Sequence, residues 1–151
     1  MGKQSLQKKP RQSAYDRAVL CLAMREHGTE ELRGKLLQKG FEEADIDPAM
    51  LRLQEHGYLN DGHFCEQYIR ARARRGYGPV KIGYELKTRG IASALIEQAL
   101  TEVDHTWLTQ IQQVRIKKFG QSMPDDIKEK AKQYRFLQYR GFTSDQIQTL
   151  L

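Results

Sequence analysis

Few residues in this 151-residue chain have the types and spacing that chemistry needs. The most suggestive group is His56, His63 and Cys65, nitrogen and sulfur donors of the kind zinc takes, placed around one loop. A structural zinc site needs a fourth ligand. The remaining histidines and cysteine, His27, His105 and Cys21, form no second pair at finger-like spacing. Gly76-Tyr77-Gly78-Pro79 has the glycines of a phosphate loop but runs into proline, where a nucleotide site has Lys-Ser/Thr. The acidic pairs Glu42-Glu43 and Asp125-Asp126 fall at or near helix starts, where the helix dipole alone accounts for them. These residues therefore point to no catalytic site, no metal, no cofactor and no enzyme activity.

Cations offer more. One candidate helix carries Arg70, Arg72, Arg74 and Arg75, with Arg70 and Arg74 on one face. Lys81 and Lys87 follow in the next, where Lys81 is partly neutralised by Glu85. Arg115, Lys117 and Lys118 lie on a later helix, and Lys128, Lys132 and Arg135 recur at helical spacing on the one after it. Arg89 and Arg140 read as helix C-terminal charges. Tyr58, Tyr68, Tyr77, Tyr84, Tyr134 and Tyr139 are interspersed with this charge, a mixture that suits an interface, although several of them also fit as core residues.

The elements that must position these cations come from a repeat. Lys39-Gly40-Phe41, Arg89-Gly90-Ile91 and Arg140-Gly141-Phe142 share one pattern. A leucine stands four residues before each glycine (Leu36, Leu86, Leu137) and an isoleucine six after (Ile46, Ile96, Ile147). A basic residue followed by glycine is a helix C-terminus, and the apolar residue beyond can pack back on the leucine. The pattern predicts an all-α chain of three tandem three-helix repeats, elongated and curved. The boundaries are a disordered basic tail over 1–13, then repeats over 14–56, 57–103 and 104–151. Thr29 and Asp61 are expected as N-caps, and Pro79 at a first helical position. Pro48 matches Gln98, which is mid-helix in the second copy, so a kink or break is expected at Pro48.

Net charge is +6, unevenly distributed. Residues 15–53 hold six basic and eight acidic side chains, whereas 61–103 hold seven and five, and 104–151 eight and five. The first repeat is acidic and the later two basic. Yet the third helix of each repeat, the one that would enter the major groove in a helix-turn-helix reader, is poor in cations. Glu42, Glu43, Asp45 and Asp47 stand there in the first repeat, and no Lys or Arg lies within 92–103 or 143–151. Two unpaired cysteines indicate free thiols in a reducing compartment. No apolar run reaches membrane-spanning length and no signal-peptide core opens the chain, which predicts a cytoplasmic monomer without membrane contact.

Gly57-Tyr58-Leu59-Asn60-Asp61, then Phe64, Tyr68, Arg72, Gly78, Ile82, Glu85-Leu86, Arg89-Gly90-Ile91 and Ile96, resembles the central signature of the bacterial RecX family. Tyr15 to Leu22, Glu31-Leu32, Leu36 and Lys39-Gly40-Phe41 resemble its N-terminal unit, and Arg140-Gly141-Phe142 its C-terminal unit. Cys65 departs from the alanine usual there. The resemblance implies a regulator that binds RecA recombinase filaments on DNA. It implies inhibition of ATP hydrolysis and strand exchange, and so modulation of recombination, DNA repair and the SOS response, with weak single- or double-stranded DNA binding. On that reading Arg70, Arg72, Arg74, Arg75, Lys81, Arg115, Lys117, Lys118, Lys128, Lys132 and Arg135 face RecA or DNA. The competing reading is a nucleic-acid-binding protein that affects recombination by coating DNA.

Overall fold

The computed structural model describes residues 12–103 and 106–151. The tail expected to be disordered therefore lies almost wholly outside the described residues, as does His105. Among the described residues there are nine helices and no strand. They are α1 (Ala14–Met24), α2 (Thr29–Gln38), α3 (Glu43–Glu55), α4 (Asp61–Arg74), α5 (Pro79–Thr88), α6 (Ser93–Glu102), α7 (Trp107–Phe119), α8 (Ile127–Tyr139) and α9 (Ser144–Leu150). They form two compact units, the first ending at Asn60 and the second running from Asp61 to Leu151.

The repeated tripeptide is one kind of helix stop, used three times. The Phe41 N–H donates to the Leu36 carbonyl at 3.2 Å and the Gly40 N–H to that of Leu37 at 3.0 Å. The same pair of bonds recurs from Ile91 and Gly90 to Leu86 and Lys87, and from Phe142 and Gly141 to Leu137 and Gln138. This cap returns two orphan carbonyls to donors. It also explains the spacing of the leucines, which supply the carbonyl and are themselves fully buried.

In the first unit, Ala18, Leu32, Leu36, Ile46, Met50 and Leu53 form the centre of a small core. One local expectation fails there, and of the kink or break expected at Pro48 the break does not occur. Gly28, not Thr29, caps α2, and Glu31 reaches back to accept from the Gly28 N–H at 3.3 Å. The extra acceptor is a carboxylate in the first turn, where the dipole favours it. Helix α3 also runs through Pro48 unbroken from Glu43. Proline costs one backbone bond here, but Ala44 and Pro48 are exposed, so the freed carbonyl meets water. The buried stripe Ile46, Ala49, Met50 and Leu53 holds the helix on the core across that defect.

His27 is 2% exposed at the start of α2. Its Nδ1 lies 2.9 Å from the Arg25 carbonyl and its Nε2 3.0 Å from Lys35 Nζ. A carbonyl only accepts and an ammonium only donates, so Nδ1 carries the proton and Nε2 accepts from Lys35. The ring is neutral by construction, and burial pushes its pKa below 6.5. The folded state thus binds fewer protons than the unfolded one, and this contribution is complete above the unfolded pKa and lost as pH falls toward the folded value. Protection factors in α2, which remove the intrinsic pH dependence of amide exchange, are expected to be steady above about pH 7. Protection there should weaken as the pH falls below about 6.5, before the depressed carboxyl of Glu31 begins to titrate. Pairing and hydrogen bonding with Arg25 overcome the upward push of burial on that carboxyl. A His27→Gln variant should lose the pH dependence in that window; an unchanged slope would show that His27 is not its source.

In the second unit the two remaining repeats share one core. Phe64, Ile69, Ile82, Leu86 and Ile96 from α4–α6 join Trp107, Ile111, Leu137, Phe142 and Ile147 from α7–α9. Cys65 sits in this core, where burial, helped by the Asp61 carboxylate, pushes its thiol up to about 11. Asp61, expected as an N-cap, is instead the first residue of α4, where its carboxylate stands in the first turn.

The two repeats are also joined backbone to backbone. The Gly78 N–H donates to the Arg140 carbonyl at 2.9 Å and the Val80 N–H to the Gly141 carbonyl at 2.8 Å. Pro79 between them has no N–H to satisfy and takes the first position of α5, as expected. The open N-terminus of α5 is thus capped by the turn that precedes α9. The approach is so close that a Cβ on Gly78 would lie 2.5 Å from the Gly141 oxygen.

Candidate functional site

The cations singled out in the sequence have three different fates. Arg72 is spent inside the second unit. Its Nε and Nη2 donate to the two Glu85 oxygens at 2.9 and 2.8 Å, and Tyr68 Oη donates to the same carboxylate at 2.9 Å. Its guanidinium also stacks 4.1 Å from the centre of the Tyr77 ring. Burial pushes the Glu85 carboxyl up, but the bonds from Arg72 and Tyr68 outweigh it and hold the group below the usual carboxylate range. Glu85 therefore bonds across to α4, and Lys81 on its own helix acts on it only through space; Lys81 Nζ lies 5.6 Å from the Tyr77 ring.

Arg115 is 2% exposed. Its Nη1 donates to the Ser122 carbonyl and to Gln133 Oε1, and its Nη2 donates to the Gln121 carbonyl, at 3.2–3.3 Å. It ties the 121–122 loop to α7 and α8. The sequence assigned it to a partner-facing surface because it stands in a basic run, but its position on α7 turns it inward with Trp107 and Ile111.

The other cations assigned to a partner-facing surface are exposed, except half-buried Lys81; Arg89 and Arg140 at the helix ends are half-buried too. Arg70 and Arg74 flank a recess that also holds Glu102 and Trp107. Lys128, Lys132 and Arg135 run along α8. A second opening, about 450 Å³, gathers Arg74 and Arg75 from the end of α4, Lys117 and Lys118 from the last turn of α7, and Arg140 from the end of α8. Its floor is Val114 and Phe136, and the Gln110 and Gln113 amides complete one wall. No carboxylate lines it.

Arg140 is the residue that the sequence undervalued, as a helix-end charge only. Its Nη1 donates to the Arg75 carbonyl at 3.3 Å, and its guanidinium lies 5.2 and 5.3 Å from the Tyr77 and Phe136 ring centres. Lys118 Nζ lies 5.5 Å from the same Phe136 ring. The available signal was the four-residue spacing of Lys132, Phe136 and Arg140, which places all three on one face of α8. The interspersed tyrosines divide in the same way. Tyr68, Tyr77 and Tyr134 pack on the core, while Tyr58, Tyr84 and Tyr139 are exposed.

Fold and site together define an all-helical protein of tandem three-helix domains, with a cationic groove where two of the domains meet. Comparison with known proteins makes the class specific. Residues 14–53, 60–100 and 108–151 match, in order, the first, second and third three-helix domains of RecX. The chain belongs to the RecX family of regulatory proteins. It is 40% identical over 136 residues to the regulatory protein RecX of Halorhodospira halophila, covering 90% of this chain and 84% of that one. It is 45% identical over 134 residues to the regulatory protein RecX of Pseudomonas fluorescens, covering 89% and 86%. The crystal structure of RecX from Lactobacillus salivarius superposes with a TM-score of 0.77 over 90% of each chain at 22% identity, which shows the shared fold. Among the described residues no helix is long and apolar enough to cross a membrane.

Proposed function

We propose that this protein is a cytoplasmic, non-enzymatic regulator that binds RecA filaments on DNA and inhibits their ATP hydrolysis and strand exchange. The observation that carries this reading is the ordered match to all three RecX domains across residues 14–151. The charge distribution supports it. An acidic first repeat and two basic ones give the chain a polarity, and Arg70, Arg74, Arg75, Lys117, Lys118, Lys128, Lys132 and Arg135 keep their charged ends exposed. These residues would face the filament; Arg72 and Arg115 would act through the fold.

The test is RecA ATPase on single-stranded DNA with this protein titrated in. Turnover is expected to fall as the protein is added, and a flat response would sink the proposal. The double reversal Arg70→Glu with Arg74→Glu leaves the Arg72–Glu85 bond in place. It should raise the concentration needed for half inhibition by about tenfold, the size expected for repulsive charge at an interface.

A further inference from the structure

The groove at the junction of the second and third repeats has a composition that helix ends alone do not produce. Cations collect near helix C-termini because the dipole favours them there. That accounts for basic residues at the end of any one helix. It does not account for the ends of α4, α7 and α8 meeting around one opening with five cations and no acid. None of Arg74, Arg75, Lys117, Lys118 and Arg140 has a carboxylate partner among the described residues. Elsewhere the same chain does pair its arginines: Arg25 with Glu31, Arg33 with Asp47, and Arg72 with Glu85. Like charges held around a concave surface raise its potential and concentrate anions.

We infer that this groove is a cradle for the phosphate backbone of a nucleic-acid strand, assembled only when the two repeats are docked. Several features favour a phosphate chain over an acidic protein surface. Guanidinium forks and ammonium groups suit phosphate oxygens. The apolar floor is small, and Phe136 is already covered by Arg140 and Lys118, so there is little to seat a peptide's side chains. The groove has no base-reading helix of its own, so recognition is independent of sequence. Arg74 and Arg75 come from one repeat and Lys117, Lys118 and Arg140 from the other. The Arg140–Arg75 bond and the Gly78–Arg140 and Val80–Gly141 backbone bonds hold the two sides in register.

This deepens the proposed role by naming the chemistry of the partner at one site, and it is tested without RecA. The full chain is titrated into a labelled oligonucleotide of mixed sequence and followed by anisotropy across a range of salt. Lys117→Glu with Lys118→Glu should weaken binding to a single-stranded oligonucleotide by about tenfold or more and flatten the logarithmic salt slope by roughly 1.4, about 0.7 for each phosphate no longer neutralised. Lys39→Glu with Lys87→Glu changes the net charge equally at two lysines that do not line the groove, and should shift affinity by less than about threefold. Equal loss in both variants would reduce the effect to overall charge and overturn the site.

Lys117→Gln with Lys118→Gln is the second variant, checked by Trp107 fluorescence, for the case in which charge reversal disturbs α7. It should lose affinity in the same direction, and unchanged affinity in the folded glutamine variant overturns the site. Polyglutamate that displaces the oligonucleotide at matched charge would assign the groove to acidic protein, and nucleoside triphosphate that does so would assign it to a small polyphosphate. Either result overturns the strand assignment. RecA inhibition without oligonucleotide binding by the wild-type chain removes the cradle and leaves the regulator. Groove-dependent oligonucleotide binding without RecA inhibition does the reverse.

Discussion

Gly141→Ala is expected to remove about 3 kcal/mol or more from the second unit, enough to lower its melting temperature by on the order of 10 °C or more. Two effects combine at this position. Gly141 has φ +100°, a conformation that an L side chain enters only at a cost of about 1–2 kcal/mol. Its Cβ would also lie 2.4 Å from the Lys81 Cβ and 2.8 Å from the Lys81 backbone nitrogen. Neither partner is the loose end of a side chain, so α5 must move away, and the bonds that cap its N-terminus go with it. Two further substitutions separate the causes. Gly40 has φ +96° but open space around it, so Gly40→Ala should cost only about 1–2 kcal/mol, in the first unit. Gly78 has an ordinary extended φ of −96°, so Gly78→Ala isolates the steric clash with the Gly141 carbonyl. Far-ultraviolet circular dichroism in urea reads the helices of both units, and the fluorescence of Trp107, the single tryptophan, buried in the second unit, reports that unit alone. If Gly141→Ala costs no more than Gly40→Ala, the close approach of the repeats is not what stabilises them. Because the cradle spans the same junction, Gly141→Ala should also weaken oligonucleotide binding under conditions where the chain is still folded.

The importance of Gly141 shows where sequence reasoning reached and where it stopped. Leu36, Leu86 and Leu137, with their glycines four residues on, revealed three equivalent helix stops, because a cap is local and its physics is written in consecutive residues. The start of α5 at Pro79 followed for the same reason. The capping of α5 by the turn after α8 could not be read, since it joins positions more than sixty residues apart and leaves only a second glycine as its trace. The candidate site divided along the same line. A count of charges marked α4, α7 and α8 as basic, but charge density does not say which way a residue points. Arg72 and Arg70 differ by only two positions, yet one is locked to Glu85 and the other is exposed. Arg140 was assigned to a helix end, where it does stand, while its guanidinium reaches Arg75 on the neighbouring repeat. Gly28 replaced Thr29 as a cap because Glu31, three residues on, could serve the Gly28 N–H.

Arg115 carries the second large effect, and the sign of its variants separates a structural cation from a partner-facing one. Arg115→Ala should cost the second unit about 3 kcal/mol. Charge-assisted bonds to the Gln121 and Ser122 carbonyls and to Gln133 are lost, and a cavity opens beneath α8. Arg115→Met should be markedly milder, about 1 kcal/mol. Methionine fills much of the space, and it relieves the chain of a buried charge whose Nε has no hydrogen-bond partner. The carbonyls of exposed residues 121 and 122 can turn to water, which leaves Gln133 Oε1 as the one buried acceptor to lose the arginine's donor. Arg115→Lys keeps the charge but not the fork, so it leaves a buried ammonium with fewer bonds and should fall nearer to alanine than to methionine. A residue that faced RecA or DNA would give a different order, with lysine the best tolerated and methionine and alanine equally poor in binding while leaving stability alone. Urea unfolding followed by Trp107 fluorescence, set beside oligonucleotide affinity and RecA inhibition for the same three variants, decides between the two orders. The packing around Arg115 requires the methionine variant to stay folded and to bind and inhibit much as the parent chain does.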